Sequence, residues 1–391
     1  MDYADKSQLQ EKVLLEDLDP RRAPPRDMRE AFKRYSRATV SPEDLAQVSD
    51  SSCLREPEWV LRECLSEDLV HKLCQAFQEA DSAEEVRPPD KIQSHTHNAS
   101  IYESTVVPGR KSSFSIVLVF VANLFSCTIC DYLVALFSDK ALGLIIIPSF
   151  LPTDVQWTLL SRLFLRDLSE PSHTTNLNLH YNIQYPPAGS SFFAHSLETI
   201  AFAPKEPQIH PSLSMERVLT KKLRWITLGG QYDWTNKIYP EESPPAFPED
   251  IASLLKGVFI DMEPQAAIVN LYSPGDTLSL HRDVSEEINR GLVSISLGCD
   301  GLFIIGLRDS DEPSDPGASR CHILRLHSGD VIYMSGSSRY AWHGVPKVIS
   351  GTSPQLLDSW PGASFPHWRD TGFMANKRVN LNVRQMRDLA R

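Results

Sequence analysis

The hydrophobic positions change their period along the chain. In the first hundred residues they recur at helical spacing, and the stretches Asp27 to Arg37 and Ser66 to Ala80 read as helices. In the second, Leu69, Leu73, Cys74 and Phe77 fall on one face, as in a helix laid against something larger. Asp81 to Lys111 is polar and reads as a linker. From Phe114 to Phe137 the chain is almost continuously apolar, with Asp131 the charged interruption, and its length meets the threshold for a membrane-spanning helix. A membrane anchor, a buried helix and an aberrant segment such as translated intron all suit that run, and the pattern does not choose among them.

After Ile145 the pattern becomes mixed. Thr153 is placed to cap a helix carrying Val155, Leu159, Leu163 and Phe164 on one face, and Pro248-Glu249-Asp250 opens another through about Phe259. From Ala266 the period shortens to that of strands: Ala266 to Tyr272, Thr277 to His281, Leu292 to Leu297, Leu302 to Leu307, His322 to Leu326, Asp330 to Met334 and Arg378 to Arg384. Many short strands separated by turn residues predict a sandwich or barrel in an α+β chain, and a jelly roll fits the count.

Composition narrows the class. With 41% hydrophobic and 23% charged residues in 391, the chain suits a soluble globular protein with one main core and N-terminal additions. Seven scattered cysteines, an odd number, point to reduced thiols and an intracellular setting, nucleus or cytoplasm. Cys127 and Cys130 form a lone C-x-x-C, and zinc or redox chemistry would need a second pair or a thioredoxin-like context. Asp2, Asp5, Glu11, Glu16 and Asp17 are wrong for a mitochondrial presequence, and no secretory signal opens the chain. The formal charge of −11 counts against a protein that coats nucleic acid, although it leaves room for a local basic groove.

The chemistry concentrates in three places. In Thr277 to Asp283 alternate residues share a strand face, so His281 and Asp283 are placed to bind one metal together. A non-haem Fe(II) centre needs two histidines and one carboxylate, with the remaining positions open. His322, His327 and His343 compete for the third ligand. His322 begins a strand and His327 sits in a turn, both structural positions, whereas His343 follows a strand, precedes Gly344 and Pro346, and can re-enter a barrel mouth opposite His281. His343 is therefore preferred. The third place is Arg378-Val-Asn-Leu-Asn-Val-Arg384, whose period of two puts both arginines and both asparagines on one face. Inward-facing cations are costly unless paired, and a dicarboxylate would pair them, the alternative being an edge strand with solvated arginines.

The series N-x-Y-x-P-G-D, H-x-D, a distal histidine and R-x-N-x-x-x-R resembles the AlkB family of 2-oxoglutarate dioxygenases, in that order and over roughly Gly143 to Arg391. The segment from Leu223 to Trp234, with the later Ser-Gly-Asp-Val-Ile-Tyr-Met-Ser-Gly-x-Ser-Arg339, is similar to the first eukaryotic AlkB homologue subgroup. The resemblance implies a double-stranded β-helix (jelly roll) in residues 141–391 with flanking N-terminal helices, residues 1–112 forming a helical and linker extension and 113–140 the apolar segment. It implies Fe(II) on His281, Asp283 and His343, with O2 and 2-oxoglutarate as co-substrates. Arg378 would hold the distal carboxylate of 2-oxoglutarate, Asn270, Tyr272 and Asn380 would add contacts, and Arg384 would support the co-substrate or face a nucleobase. Trp225 and Tyr232 would belong to a substrate lid, for which Gly229-Gly230 supplies backbone freedom.

The implied activity is oxidative demethylation of a methylated base in tRNA or DNA by a monomer. Two other readings stand beside it. A protein hydroxylase or demethylase could use the same centre on a peptide, and a basic groove of Lys221, Lys222, Arg224, Lys237 or Lys377 would argue for nucleic acid instead. A non-catalytic interaction protein should have lost a ligand or an arginine, and this chain has lost none. A membrane partner follows only if the apolar run is a genuine anchor.

Overall fold

The computed structural model describes residues 22–54, 59–80, 99–104, 143–240, 243–306 and 321–388. The apolar run at 114–137 and the Cys127/Cys130 pair lie outside the described residues. Among the described residues no helix is long and apolar enough to cross a membrane.

Four helices matter for the site: α1 (Arg26–Tyr35), α2 (Glu67–Glu79), α3 (Thr153–Ser161) and α4 (Glu249–Lys256). Ser66 caps α2, its Oγ accepting the Leu69 N–H at 3.2 Å, with Glu67 and Asp68 in the first turn where the helix dipole favours them. Thr153 is not a cap. It is the first helical residue after Pro152, and the chain runs on from α3 through a π-helical turn, Arg162–Arg166, that delivers Leu163 and Phe164 to the core. Helix α4 stops at Lys256, short of Phe259, and α2 packs closely against its end: a Cβ on Gly257 would lie 2.3 Å from Leu73 Cδ2.

The strands run β1 (Ser49–Asp50), β2 (Trp59–Leu65), β3 (Ala99–Ser104), β4 (Leu144–Ile147), β5 (Tyr181–Ile183), β6 (Ile200–Pro204), β7 (Leu213–Ser214) and β8 (Trp225–Gly229). They continue as β9 (Ala266–Tyr272), β10 (Leu278–His281), β11 (Leu292–Gly298), β12 (Gly301–Gly306), β13 (Cys321–Leu326), β14 (Val331–Met334), β15 (Trp342–Val348) and β16 (Arg378–Arg384). An eight-stranded sheet has the order β2-β3-β4-β14-β11-β16-β9-β8, a five-stranded sheet β1-β13-β12-β15-β10, and a small sheet β5-β6-β7.

Alternation along β16 explains the layering. Val379, Leu381 and Val383 join a core with Val293, Ile295 and Val269 of the neighbouring strands and with α2, α3 and α4. Each fully buried aliphatic side chain of this kind contributes roughly 1.5–3 kcal/mol. On the opposite face of the large sheet, Leu292, Ile332 and Met334 share a second cluster with Phe303, Ile305, Leu324 and Val345 of the small five-stranded sheet. The two sheets therefore face one another. Beyond that five-stranded sheet, α1 buries Met28 and Tyr35 on Leu302, Ile304 and Trp342.

The N-terminal extension contributes more than helices and linker. β1 pairs in parallel with β13, and β3 pairs with β4, so β2 and β3 continue the large sheet past what would be an open edge. His343 lies within a strand of its own, β15, paired in register with His281 of β10.

A candidate metal and co-substrate site

His281 ends β10 and is in register with His343 on the adjacent β15, which brings the two rings together with centroids 4.3 Å apart. Each ring is oriented by its own backbone. His281 Nδ1 lies 2.9 Å from the Ser279 carbonyl and His343 Nδ1 3.0 Å from the Ala341 carbonyl. A carbonyl only accepts, so Nδ1 carries the proton in both and each Nε2 presents its lone pair. Asp283, in the loop after β10, points a carboxylate oxygen at each: Oδ1 is 3.8 Å from His281 Nε2 and Oδ2 3.7 Å from His343 Nε2. One donor atom from each of the three residues lies within 4.8 Å of the others, an arrangement that could hold a metal ion.

Electrostatics suit a cation. Burial, joined by repulsion from His281, pushes the His343 imidazole down to about 4, so it is neutral at ordinary pH. Burial alone would raise the Asp283 carboxyl, but Arg384 foremost, with His281 and His343, holds it well below the usual carboxylate range. Two imidazoles and one carboxylate match the donor preferences of Fe(II).

The inward face of β16 extends the site. Trp225, Asn270, Asn380 and Ser296 form one cross-strand row, and Tyr272, Arg378 and Gly298 the next. The Arg378 guanidinium is 1% exposed, yet only Nη2 is bonded, donating to Ser296 Oγ at 3.0 Å. Its Nε and Nη1 have no partner among the described residues, and neither does the buried Tyr272 hydroxyl. Gly301 makes room for the side chain, since a Cβ there would lie 2.4 Å from Arg378 Nε. A buried cation without an anion is costly, and burial lowers the Arg378 pKa accordingly. One carboxylate of 2-oxoglutarate fits these unmet donors, and the His281–Asp283–His343 cluster approaches the same face of β16 from the five-stranded sheet, Asp283 Oδ2 lying 3.5 Å from Asn382 Nδ2.

The other expected residues are divided. Asn380 Nδ2 donates to Ser294 Oγ at 2.7 Å and to the Ile295 carbonyl at 3.1 Å, which leaves the amide no donor for an anion. Asn270 stands beside it in register and is half-buried. Arg384 lies with acids rather than with Arg378: Nη1 is 3.3 Å from Asp283 Oδ1 and 2.9 Å from Glu286 Oε1. That placement sets Arg384 beside the Asp283 carboxylate of the cluster. Glu286 and Arg339 complete this group, and sequence reasoning gave them no role. The available signal was two cations on the β16 face with one carboxylate near them, a charge imbalance asking for another acid.

Trp225 and Tyr232 meet in an aromatic group. The Trp225 ring is 5.0 Å from that of Trp234, which Tyr232 meets edge-on at 4.9 Å. The Tyr232 hydroxyl is 3.2 Å from Ser285 Oγ, two residues beyond Asp283. The expected lid is therefore only half a loop. Trp225 belongs to edge strand β8, which ends at Gly229 with φ +62°, and Gly230 serves close packing, since a Cβ there would lie 2.2 Å from Met386 Sδ. Outside β8, Lys221, Lys222 and Arg224 are exposed, Arg224 being paired with Asp276. Lys377 donates to Ser273 Oγ at 2.7 Å, and its pKa is pushed down to about 8 by burial, with Lys221 and Arg224 adding repulsion.

The family description of the 2OG-Fe(II) oxygenase superfamily matches residues 176–384. The chain is 53% identical over 266 residues to the N6-methyladenosine RNA demethylase ALKB1 of Pyricularia oryzae, covering 63% of this chain and 75% of that one. It is 39% identical over 263 residues to the tRNA demethylase abh1 of Schizosaccharomyces pombe, covering 64% and 80%. A solved structure described as that of OsALKBH1 aligns over 62% of this chain and 96% of its own, at 21% identity and a TM-score of 0.38.

Proposed function

The chain belongs to the AlkB family of 2OG-Fe(II) oxygenases, in its ALKBH1 subgroup, and from that premise we propose that it oxidatively removes methyl groups from bases of nucleic acid, tRNA or DNA. It is a 2-oxoglutarate-dependent dioxygenase working with Fe(II), 2-oxoglutarate and O2. The reading rests on one juxtaposition: a buried arginine with unmet donors on the inward face of β16, and a histidine–aspartate–histidine cluster carried toward that face by β10 and β15 of the facing sheet. We read the two facing sheets as the double-stranded β-helix, with residues 141–391 as the catalytic unit and β2 and β3 extending its large sheet.

When bound, Fe(II) with 2-oxoglutarate and O2 supplies oxidation of an N-methyl carbon, which leaves as formaldehyde while 2-oxoglutarate becomes succinate and CO2. The protein supplies geometry. His281, Asp283 and His343 would hold the metal, the proton positions of the two histidines set by the Ser279 and Ala341 carbonyls. Arg378 and Tyr272 would take the far carboxylate of the co-substrate in a site closed to water. Trp225, Trp234 and Tyr232 offer flat faces on which a base can stack, and the exposed Lys221 and Lys222 suit phosphates.

Succinate and formaldehyde release should be measured against methylated RNA, methylated DNA and methylated histone peptide. Coupled release is expected with nucleic acid, and coupling confined to the peptide would overturn the proposal. Base stacking is worth on the order of 1–3 kcal/mol, so Trp225→Ala should weaken binding of a methylated oligonucleotide by roughly tenfold or more while uncoupled 2-oxoglutarate decarboxylation survives. Unchanged binding by the folded variant would remove Trp225 from the substrate site. We carry the chain as an intracellular monomer of nucleus or cytoplasm, expectations that an oligomer in light scattering or an organelle signal from a tagged copy would replace.

A further inference from the structure

Asp283 lies in a loop, and three buried charged side chains, Arg384, Glu286 and Arg339, close a ring with it. Arg384 approaches both carboxylate oxygens, with Nη1 3.3 Å from Oδ1 and Nη2 3.4 Å from Oδ2. The same Nη1 is nearer to Glu286, at 2.9 Å from Oε1. Glu286 Oε2 in turn accepts from Arg339 Nη2 at 2.7 Å. Arg339 then returns to the loop, Nη1 donating to the Asp283 carbonyl at 2.7 Å and Nε to the Arg290 carbonyl at 2.9 Å. Glu286 and Arg339 are each 1% exposed at the side chain and Arg384 is 4% exposed, so water screens none of these contacts.

The distances rank the competition. A guanidinium fork facing a lone carboxylate closes to about 2.7–2.9 Å in two parallel hydrogen bonds. Arg384 makes its short contact to Glu286 and its long ones to Asp283. We infer that Glu286 is a positioning residue for the metal site: it holds Arg384 back from Asp283, so that the Asp283 carboxylate stays available to a divalent cation. Arg339 anchors Glu286 and the Asp283 main chain from the other side. Without the Glu286 charge, Arg384 would close on Asp283 as a bidentate pair and compete with the metal. The inference rests on the triad being the metal site.

Mn(II) alone, titrated into the full-length apo protein and followed by electron paramagnetic resonance, separates the two claims. If wild type binds no better than a His281→Ala/His343→Ala variant, the metal-site reading fails. If wild type binds, Glu286→Gln should weaken Mn(II) at least tenfold, whereas Glu286→Asp, which keeps the charge, should stay within about threefold. Glu286→Gln/Arg384→Met removes the competing cation as well, and should bind within threefold of wild type or tighter. A purely architectural Glu286 would not be rescued by deleting Arg384. Unchanged Mn(II) affinity in folded Glu286→Gln, or a tenfold loss persisting in the folded double variant, overturns the inference. Where the single variant does not fold, the double variant and Glu286→Asp decide it by the same limits.

Discussion

Two histidine–aspartate groups lie among the same strands, and they have opposite chemistry. At one, His343 and His281 give Nδ1 to main-chain carbonyls and turn Nε2 toward Asp283. At the other, His327 has a carboxylate on each ring nitrogen, Asp300 3.1 Å from Nδ1 and Asp50 2.8 Å from Nε2. The two carboxylates hold the His327 proton, foremost by the hydrogen bond that the ring donates to Asp300 and against the cost of burial, and push its pKa up to about 9. His343 is pushed the other way, to about 4, by burial and by a second imidazole. A doubly protonated ring has no lone pair for a metal, whereas a buried neutral ring has one. What the ring nitrogens face decides the role.

The arginines repeat the contrast. Arg325 places Nε and Nη2 on Asp300 at 2.8 and 2.7 Å, a satisfied pair beside His327. Arg378 has no ion pair among the described residues and two unmet donors. The first group ties β1 to β13 and closes the fold, while the second is left with bonding capacity for something else.

The largest test exchanges the two histidines' fates. His343→Ala should lower 2-oxoglutarate turnover by at least about a hundredfold, because groups that merely orient a ligand are already worth about 10–100-fold. His327→Ala should keep turnover within about threefold and lower the urea midpoint instead. Equal loss of turnover would erase the distinction between the groups.

That distinction was partly legible in the sequence. Arg378 to Arg384 alternates polar and apolar so regularly that the face pointing away from the helices could be read off, and β16 has the expected bounds. His281 and Asp283 were readable for the same reason, being two apart at the end of a strand. The strand bearing His343 was hidden by Gly344 and Pro346, which normally end strands. In the fold Pro346 falls at a shift of register against β12, and Gly344 is required because a Cβ would lie 2.8 Å from the Leu278 carbonyl. The pairing of Glu286 with Arg339 spans 53 positions and leaves no periodicity, so the charge imbalance on β16 asked for a further acid without saying which. The β8 strand is masked in the sequence by Gly229 and Gly230, which suggest flexibility but serve a left-handed turn and close packing.

The second test sets Arg378 against Arg325. Removing one partner of a buried charge pair costs about 2–5 kcal/mol, so Arg378→Ala should raise the 2-oxoglutarate requirement roughly 30-fold or more with metal affinity little changed. Because Arg378 has no ion pair among the described residues, its removal should leave the melting temperature of the metal- and co-substrate-free protein unchanged or higher. Arg325→Ala should do the reverse, sparing the co-substrate requirement and lowering the melting temperature. A shared pattern in both variants would mean that Arg378 is structural.

The smallest effect is a pH dependence confined to the structural group. His327 has a folded pKa raised to about 9, above the roughly 6.5 of an unperturbed histidine. The folded state therefore binds this proton more tightly than the unfolded chain does. Its stabilisation is complete below about pH 6.5 and is lost as the pH rises through about 9. Asp50 is partly exposed, so solvent screening reduces the contribution to on the order of 1–2 kcal/mol. His327→Gln keeps the size of the ring's polar edge without the charge. Urea unfolding of wild type and His327→Gln should differ by that amount at pH 6.5 and converge by about pH 9.5. A difference that stays constant, or that widens toward alkaline pH, would show that His327 acts by shape rather than charge, and the contrast with His343 would then rest on burial alone.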